Sequence, residues 1–192
     1  MPVSKDTAQA ILELAKVKGA LMFGEFKLSA GGTSSYYFDG RMITLDPEGA
    51  NLISQVFIPV INRCGAEALA GPTLGADPIV SSIAALSFKE GTPIPGLIVR
   101  KEAKAHGGKR GIEGPLVEGS NVAVVDDTCS TGASLFLAID AVEAAGCKVV
   151  KVLSILDRHQ GGSEELKRRG YDFFTILEAD AEGIIAPAKN DD

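Results

Sequence analysis

The sequence predicts an α/β fold, a mainly parallel central sheet flanked by helices, in one domain spanning residues 1–192 with a small N-terminal addition. Three observations lead there. Short apolar runs recur at Ala68–Ala70, Leu97–Val99, the β-branched Val122–Val125 and Cys147–Leu156, the form of strands buried on both faces of a parallel sheet. Stretches with helical spacing lie between most of these runs, so strand and helix largely alternate. The segment VAVVDDTCSTGAS, Val122 to Ser134, passes from strand to helix through a tight polar loop.

From the N-terminus, Ser4 or Asp6 can cap a first helix that ends near Lys18, stopped by Gly19. Ala8, Ile11, Leu12 and Ala15 share one side, which predicts a packing or dimer-contact helix without chemistry. Phe23 to Gly40, FGEFKLSAGGTSSYYFDG, reads as two short strands around a turn at Gly31 and Gly32. Pro47 suits the first turn of a second helix running to about Arg63, and Pro59 within it predicts a kink or an early end. The strand at Ala68–Ala70 leads into GPTLGADP, where Gly71 and Gly75 permit close backbone approach. Asp77 and Pro78 there read as cap and first residue of a helix ending near Lys89.

Leu97–Val99 leads into Arg100–Gly114, RKEAKAHGGKRGIEG. Eleven residues of it, Arg100 to Arg110, hold five of the chain's 19 Lys and Arg and one of its two His. A charge run is usually a solvated loop. Here the protein is acidic overall, at net charge −6, so a local store of positive charge implies an anionic target. With four glycines, the stretch reads as a mobile lid, about 101–116.

At the third strand, Asp126 and Asp127 stand at the carboxyl end, where open α/β sheets place ligands. The helix starting near Ala133 offers free N–H groups and the positive end of its dipole, which suits a phosphate. Thr128, Ser130, Thr131 and Ser134 add hydroxyl donors. Two carboxylates repel a phosphate, unless they serve the hydroxyls of a ribose. Neither GxxxxGK[ST] nor GxGxxG occurs. The next strand ends in Asp157, Arg158 and His159, with Arg158 on the same rim and His159 read as structural. A short helix over Ser163–Arg169 has Lys167, Arg168 and Arg169 in its last turn, explained by the dipole. Tyr171–Leu177 reads as a last strand at a sheet edge, and residues 178–192 as frayed.

Composition narrows the function classes. The negative net charge argues against a general nucleic-acid surface. No apolar run reaches the ~18 residues of a membrane span, and the N-terminus lacks the apolar core of a signal peptide. Cys64, Cys129 and Cys147 lack metal-ligand or redox spacing and read as free thiols of a reducing, cytoplasmic compartment.

Three separated strings together resemble one family. VVDDTCSTGAS resembles the phosphoribosyl pyrophosphate motif of type I phosphoribosyltransferases. F-x-L-x-x-G-x-x-S-x-Y-Y-x-D, in Phe26–Asp39, resembles the N-terminal signature of orotate phosphoribosyltransferases, and R-K-x-x-K-x-H-G, Arg100–Gly107, their catalytic loop. The resemblance implies the type I fold with a hood at about 20–40. It also implies transfer of 5-phosphoribosyl from phosphoribosyl pyrophosphate to orotate, giving orotidine 5′-phosphate and pyrophosphate in pyrimidine biosynthesis.

By the same resemblance Thr128, Cys129, Ser130, Thr131, Gly132, Ala133 and Ser134 hold the 5′-phosphate, and Asp126 and Asp127 the ribose hydroxyls. Arg100, Lys101, Lys104 and His106 stabilise the leaving pyrophosphate; no covalent nucleophile is needed. Tyr37, Phe38, Ser130 and Arg158 face the base, with Lys27 in place of the lysine that many members carry where Ser29 stands. A Tyr-Lys pair frequent in the pyrophosphate loop is replaced by Leu74 and Gly75, leaving backbone amides. Mg2+ enters with substrate oxygens rather than in an all-protein cage. A homodimer is implied, with Lys101 serving the neighbouring site. Two other readings keep the same loop: a phosphoribosyltransferase for another base, and a phosphoribosyl pyrophosphate-sensing transcription regulator.

Overall fold

A computed structural model describes residues 5–27, 33–101 and 111–190. Seven strands form the central sheet in the order β5-β4-β3-β6-β7-β8-β9. Its five inner strands are β4 (Gly96–Val99), β3 (Ala68–Pro72), β6 (Asn121–Cys129), β7 (Lys148–Asp157) and β8 (Phe173–Ala179), all parallel to one another. Antiparallel edge strands, β5 (Ile112–Glu113) and β9 (Ile185–Pro187), close the two sides. The hood is a separate two-stranded sheet of β1 (Leu21–Lys27) and β2 (Thr33–Phe38).

Strand alternation explains the unbroken apolar runs. In β6, Ala123 and Val125 face one core with α1 (Lys5–Val17), α3 (Pro47–Arg63) and α4 (Asp77–Lys89). Val122 and Val124 face the other core, with α5 (Ala133–Ala144) and Leu166 of α6 (Gly162–Arg168). Period-two side chains meet helices on both sides, so neither face keeps a polar residue.

The chain leaves β3 through α4 toward one edge of the sheet and leaves β6 through α5 toward the other. A crevice therefore opens between the carboxyl ends of β3 and β6, the switch point where such sheets take ligands. Gly71 makes the join possible, because a Cβ there would lie 2.3 Å from Ala76 Cβ and 2.8 Å from the Val125 carbonyl.

Several elements differ from the sequence expectations. α3 runs unbroken through Pro59. Pro59 is exposed, while Ile53, Val56, Phe57, Val60 and Ile61 are buried. Five such side chains at roughly 1.5–3 kcal/mol each outweigh a proline cost of ~3 kcal/mol. Asp77 is inside α4 rather than at its cap, and its carboxylate accepts the Thr73 hydroxyl at 2.9 Å. A short helix α2 (Arg41–Thr44) follows the hood.

The C-terminal stretch expected to fray forms β9, so β8 is not an edge. Ile185 is buried there, Asn190 binds the Thr175 carbonyl at 2.9 Å, and Asp180 holds the intervening turn through the Ile184 amide at 2.7 Å. β5 lies inside the stretch read as a lid. The Arg100 amide donates to the Gly111 carbonyl at 2.8 Å, so the loop's two stems are joined just beyond β4.

Candidate active site

A cavity of about 380 Å³ occupies the crevice. β6 continues through Asp126 and Asp127 to Cys129, so the acids belong to the strand rather than to the loop after it. Both line the cavity. Asp126 Oδ1 accepts the Asp127 amide at 2.9 Å. Burial raises the Asp126 carboxyl to about 8, helped by the neighbouring Asp127 charge. Asp127 is raised too, by burial and then by Asp39, with Arg41 pulling it back. Two close, desolvated carboxyls hold protons more strongly than free ones, and a cation or hydroxyl donors would relieve them.

Backbone fits tightly around this pair. A Cβ on Gly40 would stand 2.7 Å from Asp127 Cβ, and one on Gly75 would stand 3.0 Å from Asp127 Oδ1 and 3.1 Å from Asp126 Oδ1. Hood end and β3–α4 loop thus clasp the acids from opposite sides.

Adjoining it is a smaller hollow of about 130 Å³, walled by Thr128, Ser130, Thr131, Gly132, Ala133 and Ser134. Gly132 caps α5 with φ 78° and no side-chain cap bond. The first amides of α5 therefore have no intrahelical partner, an arrangement that suits an anion. Cys129 departs from the expectation. Its side chain is fully buried in the core beneath the loop, and burial with nearby Asp157 pushes its thiol up to about 12. A neutral, packed thiol neither lines the hollow nor acts as a nucleophile.

Tyr37, Phe38, Ser130 and Arg158, the residues expected to face the base, all line the main cavity. Tyr37 is partly exposed and its ring lies 5.7 Å from Phe26, whereas Phe38 is buried. Arg158 Nε donates to the Tyr36 hydroxyl at 3.1 Å, and its guanidinium stands 4.9 Å above the same ring. Lys101 lines the cavity within its own chain and draws the Asp126 carboxyl down.

A family model for the phosphoribosyl transferase domain matches residues 68–189. The orotate phosphoribosyltransferase of Nostoc sp. is 46% identical over 159 residues, covering 81% of this chain and 77% of the relative. The chain belongs to the orotate phosphoribosyltransferase family. The crystal structure of the Mycobacterium tuberculosis H37Rv family member with Fe(III) dicitrate is similar at TM-score 0.78 and 34% identity, covering 95% of this chain and 100% of that one. The same relative in complex with 5-phospho-α-D-ribosyl 1-diphosphate aligns at TM-score 0.70 and 29% identity, covering 93% and 90%.

Within this family frame, the fold brings together Asp126, Asp127, Thr128, Ser130, Thr131, Gly132, Ala133, Ser134, Tyr37, Phe38, Arg158 and Lys101. Arg100 does not line the cavity; it points to Glu113, at 3.3 Å. Lys104, His106 and the Lys27 side chain lie outside the described residues. The sequence reading missed Asp39, Arg41 and Thr73, which also line the cavity. Asp39 ends the hood signature and could have been found there; Arg41 lies beyond any quoted motif.

Among the described residues no three His, Cys, Asp or Glu side chains cluster as a metal cage. Two carboxylates that resist ionisation are nonetheless hard oxygen donors, the kind that suits a Mg2+ held mainly by water and phosphate oxygens. No described helix is long and apolar enough to cross a membrane.

Proposed function

We propose that this protein transfers the 5-phosphoribosyl group from phosphoribosyl pyrophosphate to N1 of orotate, releasing pyrophosphate. The single observation carrying this reading is the paired geometry of Asp126–Asp127 beside a hydroxyl-lined helix N-terminus, at the switch point of the sheet. The hollow at α5 suits a 5′-phosphate, and the acids suit the two ribose hydroxyls. That spacing presents C1 to the main cavity, between Arg158 and the β3–α4 loop. A guanidinium recognises a carboxylate by two parallel hydrogen bonds, which suits the acid group of orotate.

Breaking the bond from C1 to pyrophosphate develops positive charge on the sugar and negative charge on the leaving group. Lys101, with Arg100, Lys104 and His106 of the lid, would meet that growing negative charge. Fixed cations of this kind are worth roughly 3–4 kcal/mol each. Mg2+, held by substrate oxygens and Asp126–Asp127, would supply further charge stabilisation. Closure of the lid would exclude water, which competes for the sugar cation. Cys129 has no part in bond making. The homodimer with Lys101 in trans, and a cytoplasmic setting, belong to this reading as well.

The test is direct. Orotate's ultraviolet absorbance should fall when phosphoribosyl pyrophosphate and Mg2+ are both present, and pyrophosphate should appear in equal amount. Turnover of adenine or hypoxanthine but not orotate would assign another base, and binding of the sugar without turnover would favour the regulator.

A further inference from the structure

The cavity poses a charge problem at its leaving-group end. The wall formed by Pro72, Thr73, Leu74 and Gly75 carries no cation, and the Thr73 hydroxyl is already given to Asp77. Asp39, Asp126 and Asp127 line the same cavity. A diphosphate entering here needs fixed positive charge beyond what backbone amides offer. Among the described residues three cations line the cavity: Arg41, Lys101 and Arg158. Arg158 is engaged at the base end by Tyr36 and by Ser34 Oγ at 3.4 Å.

Arg41 is differently placed. It opens α2, one residue after Gly40, whose backbone is pressed against Asp127. Its guanidinium is held by Asp39, Nε to Oδ1 at 2.8 Å and Nη2 to Oδ2 at 2.9 Å. That bidentate pair uses two of the five N–H donors and leaves the rest of the fork for a second anion. The side chain remains half exposed. Asp39 therefore fixes the guanidinium at the cavity wall in advance, without consuming it.

We propose that Arg41, steadied by Asp39, is a diphosphate-binding residue of this site, supplying from the hood side the positive charge that the Pro72–Gly75 wall lacks. The inference rests on the phosphoribosyl pyrophosphate reading, which Asp126, Asp127 and the α5 loop carry independently. Substrate would meet Arg41 before and during departure of pyrophosphate, so binding and turnover both depend on it.

Calorimetry with Mg2+ and pyrophosphate, and separately with ribose 5-phosphate, distinguishes this role from a structural one. Arg41→Ala should weaken pyrophosphate at least tenfold and leave ribose 5-phosphate within twofold of the parent protein. Arg41→Lys should recover part of the loss, since it restores charge but not the fork. Unchanged pyrophosphate affinity in Arg41→Ala would overturn the proposal. An equal loss for both ligands would overturn it too, because it would mean that Arg41 only props Asp127. Failure of the parent protein to bind either ligand would instead refute the underlying reading of the site.

Discussion

Arg158 and Tyr36 are joined twice: the guanidinium donates to the tyrosine hydroxyl at 3.1 Å and rides 4.9 Å above its ring. One residue directly follows β7 at the sheet rim, and the other sits in the hood, 122 positions earlier. Hood placement and the position of the Arg158 guanidinium are thereby one mechanical unit. Tyr36 is buried, so the hydroxyl is presented to Arg158 rather than to water.

Replacing Tyr36 separates the two contacts. Tyr36→Phe keeps the ring and loses the hydrogen bond, worth about 1.5–3 kcal/mol when one partner is charged. The KM for orotate should rise roughly tenfold, while the KM for phosphoribosyl pyrophosphate stays near its parent value. Steady-state kinetics with each substrate varied in turn will show it. Equal rises in both would mean that Tyr36 supports the whole site.

The acid pair predicts a pH-dependent conflict between stability and function. The Asp126 carboxyl titrates near 8 in the fold, against an ordinary 3.8. A raised carboxyl favours the protonated fold, so its contribution to stability falls as pH climbs from about 4 through about 8. Asp126→Asn keeps the carbonyl oxygen for the Asp127 amide and removes the charge. The ligand-free variant should melt higher than the parent at pH 8, with the gap closing toward pH 4, and should lose most turnover. Thermal melts across that range check the sign.

For the lid, Lys104→Ala should lower kcat by two or more orders of magnitude with an unchanged melting temperature. This is the size expected for one fixed cation at a developing charge, roughly 3–4 kcal/mol. Turnover close to that of the parent would defeat the account of the lid.

Subunit sharing is decided by mixing Lys101→Ala with Asp127→Asn, each inactive alone. If Lys101 reaches the neighbouring site, mixed dimers contain one site with both residues intact and activity returns. Lys101 lines its own chain's cavity, and if it serves only there the mixture stays inactive.

The strand order of chemistry was legible in the residues because local patterns fix it. Val122–Val125 could only be a doubly buried strand, and Asp126–Ser134 had to follow at its carboxyl end. Pro59, by contrast, misled, because a helix break was inferred from backbone chemistry alone while five buried side chains on the opposite face hold α3 straight. Residues 178–190 misled in the same way. They are acidic and poor in large apolar groups, but Ile185–Pro187 pairs with β8 and covers its edge.

What the sequence determined by itself, then, was the identity of the main elements and the chemical character of each loop: hydroxyls at a helix start, paired acids at a strand end, and a run of cations after Val99. Short-range periodicity and residue type are sufficient for that. Only tertiary structure decided which loops share a cavity. It turned the Cys129 thiol into the core, directed Arg100 to Glu113, and brought Arg41 and Asp39 across from the hood to face the wall of Thr73 and Gly75. Those outcomes depend on contacts between segments far apart in the chain, and no local pattern records them.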